Sequence, residues 1–237
     1  MAPLAVAQNL VGQWSFEGNL LDSSGNNNNG TALGTGVGYA PGRFGQAIDF
    51  TTADAAVLIP NSPSLQTQNF TVAYWVLGSN FYSSPNLASK RFNGSGYGWQ
   101  VNIINNELQA CLSDANCWYS SISPSPVGNW THVAVTYDGT TLIGYVNGIA
   151  LFTEVAPGYF PGNATDDIYL GLSFVGLLDE VQIYDGALPA AQVYSLANPV
   201  PTDKNQCKNG GWQFIMRPDG TTFANQGLCI QYVNTGK

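Results

Sequence analysis

Hydrophobic residues occur along the chain in short runs, many alternating with polar residues, and clusters of Gly, Asn, Asp, Ser and Pro separate the runs. Alternation with a period of two is typical of a strand with one face in a core. The pattern predicts strands at about 10–16, 45–50, 56–59, 70–77, 97–104, 107–112, 168–173 and 176–185. A three-stranded meander is expected at 130–155, because Asp138-Gly139 and Asn147-Gly148 tolerate the positive φ of hairpin turns.

The pattern changes after residue 187. One short helix is predicted at about 188–197, where Pro189 suits a first turn and Leu188 and Leu196 fall on one side. A polar linker with prolines follows, and residues 207–237 are expected to form a disulfide-closed β-hairpin with residues 217–220 (RPDG) at its turn. The predicted organisation is an N-terminal extension at 1–9, one sandwich at 10–199, and a linker and tail at 200–237.

Composition supports an all-β chain. Charged residues are only 9% of the sequence, which disfavours long amphipathic helices, while 27 glycines and 13 prolines supply the turns that many short strands need. The net charge of −8, with seven Lys and Arg, disfavours nucleic acid as a partner because phosphates would be repelled. No apolar run approaches the ~20 residues of a membrane helix, so no membrane span is predicted.

The four cysteines indicate an oxidising compartment and hence a secreted or cell-surface protein. Four cysteines allow three connectivities. Local pairing is preferred, which joins Cys111 to Cys117 and Cys207 to Cys229. Free buried cysteines are the alternative.

Five stretches resemble, in order, the laminin G-like jelly-roll domains of the concanavalin A-like lectin/glucanase superfamily. They are LVGQWSFEGNLLDSSGNNNNGT at 10–31, GRFGQAIDF at 42–50, FTVAYWV at 70–76, GNWTHVAVTYDGTTLIGYVNG at 128–148 and GLLDEVQIYDGALPAAQV at 176–193. The resemblance implies an antiparallel two-sheet jelly-roll sandwich, with adjacent first and last strands, that serves as a carbohydrate-binding or adhesion module.

The resemblance also implies a structural calcium ion. Its candidate ligands are Asp22, an oxygen from the Asn-rich loop, for which we take Asn27, and Asp179. Carboxylates, amides and backbone carbonyls are the oxygens that calcium prefers. In the alternative, Asp22 only caps a turn and Asp179 is a satisfied strand carboxylate.

Catalysis is not expected. Glucanases of this architecture carry nucleophile and acid in a Glu-x-Asp-x-Glu strand, which places two carboxyls about 5 Å apart, and this chain has no such motif. Its adjacent acids, Asp166-Asp167 and Asp179-Glu180, are expected to point to opposite faces if they lie in strands. The only histidine, His132, is expected to be a hydrogen-bonded strand residue, which excludes clusters of several histidines.

Aromatic residues in predicted loops or on a sheet face are the candidate ligand contacts, since sugars bind aromatic faces together with amides and carboxylates. Trp118 is the first choice, because a disulfide between Cys111 and Cys117 would stiffen its loop. The other candidates are Tyr82, with its neighbour Phe81, and Trp99, Tyr119 and Tyr159. About half of these are expected to cover the sheet edge instead. Trp14, Trp75 and Trp130 are assigned to the core.

The sequence therefore predicts an extracellular binding module whose partner is a glycan or another cell-surface or extracellular polymer. An alternative is a structural subunit that self-associates into a filament or surface layer through its terminal segments. A glycoside hydrolase is the third hypothesis.

Overall fold

The computed structural model describes residues 8–78, 81, 85–90, 98–113, 116–208, 210–213, 215–217 and 221–237. In this part of the chain the strands are β1 Leu10–Trp14, β2 Thr31–Leu33, β3 Val37–Pro41, β4 Gln46–Phe50, β5 Ala56–Ile59, β6 Phe70–Gly78, β7 Asn86–Ser89, β8 Gln100–Ile104, β9 Glu107–Cys111, β10 Cys117–Ser121, β11 Thr131–Tyr137, β12 Thr141–Val146, β13 Ile149–Val155, β14 Ile168–Leu172 and β15 Gly176–Tyr184. The helices are α1 Ala190–Ala197 and α2 Gln226–Thr235, and short 3₁₀ turns lie at Pro63–Leu65, Pro161–Asn163, Lys204–Cys207 and Gly211–Gln213.

The strands form two antiparallel sheets, as the fold prediction requires. Sheet A has the order β13-β12-β11-β6-β15-β4-β3, with β1 also paired to β15. Sheet B has the order β10-β9-β8-β7-β14-β5-β2. The first strand therefore pairs with the last, which confirms the jelly-roll sandwich.

The meander at 130–155 is confirmed as β11, β12 and β13. Asn147 and Gly148 adopt φ of 51° and 80°, the left-handed conformations that make this dipeptide a hairpin turn. The pattern missed β2, β3, β7 and β10. These strands have at most five residues each, so they offer too few positions for a period of two to be recognised.

The main core lies between the sheets and is built from inward-facing aliphatic and aromatic side chains. Its largest fully buried members include Trp14, Phe70, Tyr74, Trp99 and Tyr137. The Tyr74 hydroxyl donates to the Val101 carbonyl at 3.0 Å. This bond joins sheet A to sheet B within the core.

A bulge divides β15 into two halves. Its first half pairs with β4 through Gly176, Leu177 and Leu178, and its second half pairs with β1 from Val181 onward. Between these halves Glu180 has a φ of 48°, and the register with β6 on the other side shifts between Asp179 and Gln182. A bulge inserts one extra residue and leaves it unpaired, so the strand has a gap in its pairing here.

Helix α1 covers part of the outer face of sheet A and confirms the predicted helix. Leu188 and Val193 pack there against Ala73, Ala134 and Tyr145 in a second apolar cluster. The strand residues in this cluster alternate with those of the main core. Sheet A is therefore covered on both faces beneath the helix.

The hairpin predicted for the tail is wrong. Its only pairing among the described tail residues is an isolated bridge between Met216 and Thr222, whereas residues 226–235 form α2. The Asn225 side chain caps the helix by accepting from the Leu228 N–H, and Gly236 ends it at a φ of 70°. Helix-capping signals at both ends thus explain why residues 226–235 form a helix rather than a strand, whereas the antiparallel bridge between Met216 and Thr222 flanks the predicted turn.

The tail has a small core of its own. The Cys207–Cys229 disulfide forms as predicted, and Cys207, Ile215, Phe223 and Cys229 are buried together. Phe44 of the sandwich packs against this cluster. No helix in the described ranges is long and apolar enough to cross a bilayer.

Candidate functional site

A half-open cavity lies on the outer face of sheet A, where the sandwich, α1 and the tail meet. Its volume is about 470 Å³. The sandwich contributes Glu17, Phe44, Gly45, Ala73, Trp75, His132, Glu180 and Gln182, and the helix and tail contribute Ser195, Leu196, Pro199, Asn205, Gln206 and Ile215. A pocket of this size with an aromatic wall and converging polar groups has the usual features of a ligand site.

The β15 bulge supplies the acidic side of the cavity. Leu178 and Val181 both face the core although they are three residues apart, so the two residues between them lie outside the core. Asp179 and Glu180 therefore share the outer side of sheet A, and their predicted placement on opposite faces is wrong. The extra residue of the bulge reverses the alternation that the prediction assumed.

The loop between β3 and β4 forms the aromatic side. The Arg43 guanidinium carbon lies 4.1 Å from the centroid of the Trp75 ring, a cation–π contact. Phe44 meets Trp75 edge to face with 6.3 Å between ring centroids. The Phe44 N–H donates to Asp179 Oδ2 at 2.9 Å, which anchors this loop to β15.

The carboxyl groups at the bulge are harder to ionise than usual. Burial raises the pKa of Asp179 to about 8, and the charge of Glu180 acts in the same direction, while the Phe44 N–H opposes them. Burial also raises the pKa of Glu180, with a further contribution from Glu17. Asp179 is fully buried, whereas Glu180 and Glu17 are accessible. Glu180 and Glu17 are therefore the carboxyls that a ligand can reach.

His132 lies in the floor of the cavity with 2% of its surface exposed. Burial lowers the pKa of His132 to about 3, and the charge of Arg43 lowers it further. Its ring meets Trp75 edge to face at 5.3 Å between centroids. The imidazole is neutral, and its Nδ1 atom has no hydrogen-bond partner in the described part of the chain.

The predicted aromatic contacts do not form one site. Trp99 is 1% exposed and packs on Phe70 in the core, so its assignment as a ligand contact is wrong. Phe81 is buried in the same way against Phe174. Tyr82 lies outside the described residues. Trp14 is a core residue as predicted. Trp75 is buried as predicted, but on the outer face of sheet A in the cavity lining, and Trp130 precedes β11 and is only half-buried.

The three aromatics near Cys117 lie on two faces of sheet B. Trp118 and Tyr159 meet edge to face at 6.0 Å and pack, half-buried, against the main core. Tyr119 faces outward, is 52% exposed, and accepts a bond from Gln109 Nε2 at 2.6 Å. The predicted Cys111–Cys117 disulfide is confirmed, and it joins residues directly opposite each other on β9 and β10.

The oxygens of Asp22 are already engaged by four donors. Its Oδ1 accepts from the N–H groups of Gln13 and Ser24, and its Oδ2 accepts from the Ser24 hydroxyl and the Asn28 N–H, all at 2.8–2.9 Å. This arrangement fits a turn that is closed by a carboxylate better than it fits a calcium ligand.

Asn27 and Asp179 add little to a calcium site. Asn27 is exposed, with a left-handed φ of 59°, and Asp179 bonds to Phe44 rather than to the loop of Asp22. Across the described ranges no three His, Cys, Asp or Glu side chains converge as metal ligands. Calcium stays a prediction, and these residues as arranged do not fit it.

Sequence reasoning missed most of the cavity. Its walls come from segments as distant as Glu17, Phe44, Glu180 and Gln206, and no local pattern joins them. The one signal in the sequence was the pair Asp179-Glu180, two acids inside an apolar strand. Burial of a charged group costs free energy unless other groups compensate it, so such a pair indicates a site with a specific role.

Comparison with known proteins places the chain in a family. A laminin G-like model described as the Concanavalin A-like lectin/glucanases superfamily matches residues 51–194. No curated protein sequence matches the chain. The family match covers more than half of the chain, including β6 to β15.

Solved structures with the same fold are similar over most of the chain. Domain 4 of AbnA, a GH43 extracellular arabinanase from Geobacillus stearothermophilus solved with arabinotriose, matches with a TM-score of 0.68 at 24% identity, over 81% of this chain and 100% of that one. The binding domain of Paraclostridial Mosquitocidal Protein 1 matches with a TM-score of 0.66 at 22% identity, over 80% of this chain and 52% of that one. The binding domain of Botulinum neurotoxin DC, solved with rat synaptotagmin II, gives 0.65 at 17% identity, with coverage of 80% and 51%.

Proposed function

Since this chain belongs to the laminin G-like family of the Concanavalin A-like lectin/glucanases superfamily, we propose that it is a non-catalytic carbohydrate-binding module of an extracellular protein. The observation that carries the proposal is the half-open cavity between sheet A, α1 and the tail. The likeness to an arabinanase domain solved with arabinotriose agrees with a glycan ligand.

The cavity has the chemistry that a sugar residue requires. Glu17, Glu180 and Gln182 offer oxygen acceptors to sugar hydroxyls, and Phe44 offers an apolar surface. Hydrogen bonds from a neutral hydroxyl to a carboxylate are among the stronger ones. Asn205 and Gln206 are exposed amides whose nitrogens can donate to a sugar hydroxyl. Their oxygens already accept bonds from Lys208 Nζ and from the Thr202 and Asp203 N–H groups.

Two features favour binding over hydrolysis. Asp179 is fully buried and held by the Phe44 N–H, so it is out of reach of a substrate. The chain also lacks the Glu-x-Asp-x-Glu strand that places two carboxyls about 5 Å apart in glucanases of this architecture. Glu180 is then the accessible acid of the bulge.

The two disulfides favour an extracellular location. Both pairs close within the described residues, and none of the four cysteines is free. Disulfides persist in oxidising compartments and are rare in the cytosol.

A glycan array probed with the purified chain tests the proposal. Glu180→Gln keeps the shape of the side chain but removes its charge, and we expect it to weaken binding about 10- to 100-fold, since a hydrogen bond to a charged group contributes about 1.5–3 kcal/mol. The melting temperature should stay close to that of the native chain.

Tyr119→Ala is the matched control, because it removes an exposed aromatic from sheet B, away from the cavity. It should leave binding unchanged. Loss of binding in Tyr119→Ala, with binding retained in Glu180→Gln, would place the ligand on sheet B and refute the cavity. An array without a hit, from folded protein, would count against the function itself.

A further inference from the structure

Lys90 is a buried cation that the proposed cavity does not use. It follows β7 directly and has no exposed surface. Its backbone N–H donates to the Trp99 carbonyl at 2.9 Å, which continues the pairing of β7 with the segment before β8. A lysine is almost never fully buried unless it is paired, so its partners are informative.

The lysine amine is in contact with an asparagine side chain. Lys90 Nζ lies 2.5 Å from Asn61 Oδ1 and 2.9 Å from the Asp166 carbonyl oxygen. The Asn61 N–H in turn donates to Asp167 Oδ1 at 2.8 Å. The Asp166 carbonyl thus holds the Lys90 amine, and the Asp167 carboxylate holds the backbone of Asn61, so that the amine and the Asn61 side chain stay in contact.

The topology of sheet B fixes this contact. Strand β14 lies between β5 and β7, with Ile168 opposite Ile59 and Tyr169 opposite Ser89. Asn61 lies two residues beyond the end of β5, Lys90 one residue beyond the end of β7, and Asp166-Asp167 come just before β14. Three neighbouring strand ends therefore deliver the amine, the amide and two acids to one point.

The amine is also partly available as a nucleophile. Burial lowers the pKa of Lys90 to about 8, although the charges of Asp166 and Asp167 oppose the shift. About a tenth of the side chains are then neutral at pH 7. A desolvated neutral lysine amine is a competent nucleophile toward a carbonyl carbon.

From this geometry we propose that Lys90 and Asn61 join through an intramolecular isopeptide bond. The Lys90 nitrogen attacks Cγ of Asn61, the new N–Cγ bond forms, and the bond from Cγ to the amide nitrogen breaks. A proton passes from the attacking amine to the departing nitrogen, which leaves as ammonia. The Asp166 carbonyl and the Asp167 carboxylate are positioning groups that hold the two reactants in contact.

The bond would tie the ends of β5 and β7 together across β14. These are interior strands of sheet B, so the link would resist shear and unfolding in a way that the two disulfides, on the β9–β10 hairpin and in the tail, do not. Such a link stabilises mainly by restricting the unfolded chain.

The chain provides a matched control. Lys208 Nζ donates to Asn205 Oδ1 at 2.8 Å, but both residues are exposed, so that amine is in contact with solvent and is not desolvated as the Lys90 amine is. The Lys208–Asn205 pair is expected to remain unlinked.

Intact mass of the reduced and alkylated full chain tests the proposal. We expect a mass about 17 Da below that of the sequence, the mass of one ammonia. Lys90→Arg and Asn61→Ala should each restore the full mass, and Lys208→Arg should keep the deficit. In the native chain trypsin should fail to cut after Lys90, and chymotryptic fragments carrying residues 61 and 90 should remain joined.

The peptide map decides the question even if a variant fails to fold. Succinimide formation at an asparagine also releases ammonia, but it leaves Lys90 cleavable by trypsin. Native folded protein with its full mass after prolonged incubation at pH 8, or a deficit with Lys90 still cleavable, would overturn the proposal.

Discussion

Single residues set the character of the cavity. Glu180 occupies the left-handed region at a φ of 48°, and this one backbone angle places it beside Asp179 on the outer side of sheet A. A non-glycine residue in this region is uncommon and is often associated with a functional site. His132 and Arg43 pack against the Trp75 ring, and His132 and Trp75 line the cavity together with Glu180.

His132 predicts a pH dependence of stability. Because its pKa is about 3 in the folded chain and about 6.5 when unfolded, only the unfolded chain takes up a proton between these values. Stability is therefore fully present above pH 6.5 and is lost as the pH falls toward 3. We expect the loss from this group to reach about 2 kcal/mol at pH 5.

Urea unfolding at pH 7.5 and pH 5 measures this effect. His132→Phe keeps a ring against Trp75 but cannot titrate, so its loss over the same interval should be smaller by about 2 kcal/mol. Because both proteins carry all the other titrating groups, the contribution of those groups to the pH dependence cancels in the difference between the two losses. Equal losses in both proteins would mean that His132 is not desolvated as described.

Asp22 predicts a structural effect that is independent of calcium. Asp22→Ala removes the acceptor for four donors, and we expect a loss of about 2 kcal/mol in the free energy of unfolding. The loss should be the same in excess calcium and in chelator. A fall in the native melting temperature on chelation, absent from Asp22→Ala, would instead support the calcium site.

At the scale of elements, the tail is a wall of the cavity. Its disulfide closes residues 207–229 around a core of four buried side chains, and Phe44 joins that core to the sandwich. An element of this size cannot bury enough surface to be stable alone, so the disulfide and the contact with Phe44 hold it in place.

Removal of this disulfide should open the cavity. We expect Cys207→Ser with Cys229→Ser to cost the tail about 3 kcal/mol, to accelerate hydrogen exchange in α2, and to weaken glycan binding, while the sandwich stays folded. Cys111→Ser with Cys117→Ser is the control, since it affects the β9–β10 hairpin and should leave binding intact. Unchanged binding without the tail disulfide would argue against the cavity.

At the scale of the whole molecule, the question is whether the chain assembles. Residues 1–7 of the N-terminal segment lie outside the described residues, and the described tail forms α2 rather than a strand that a neighbour could accept. The net charge of −8 adds mutual repulsion between copies at low salt.

We therefore expect one sedimenting species with the mass of a single chain at micromolar concentration. Sedimentation velocity measures this directly, and electron microscopy of the same sample is the control for large polymers. Regular polymers would favour the filament or surface-layer hypothesis over the binding module.

Local patterns determined much of this fold. Alternation of apolar and polar residues predicted β6, β11, β12 and β15, and the Asn147-Gly148 turn predicted the meander. Pairing of the cysteines nearest in sequence predicted both disulfides. Each of these features depends on residues close in sequence, where periodicity and turn chemistry are strong.

Tertiary structure alone decided the sites. Pairing between distant strands determines three features: the bulge at Glu180, the burial of Trp99 in the core, and the contact between Lys90 and Asn61. A one-residue shift in a strand reverses the direction of every side chain beyond it, and no local pattern records that shift. The sequence therefore determined which strands form, and the packing of the sheets and tail determined which side chains share a cavity.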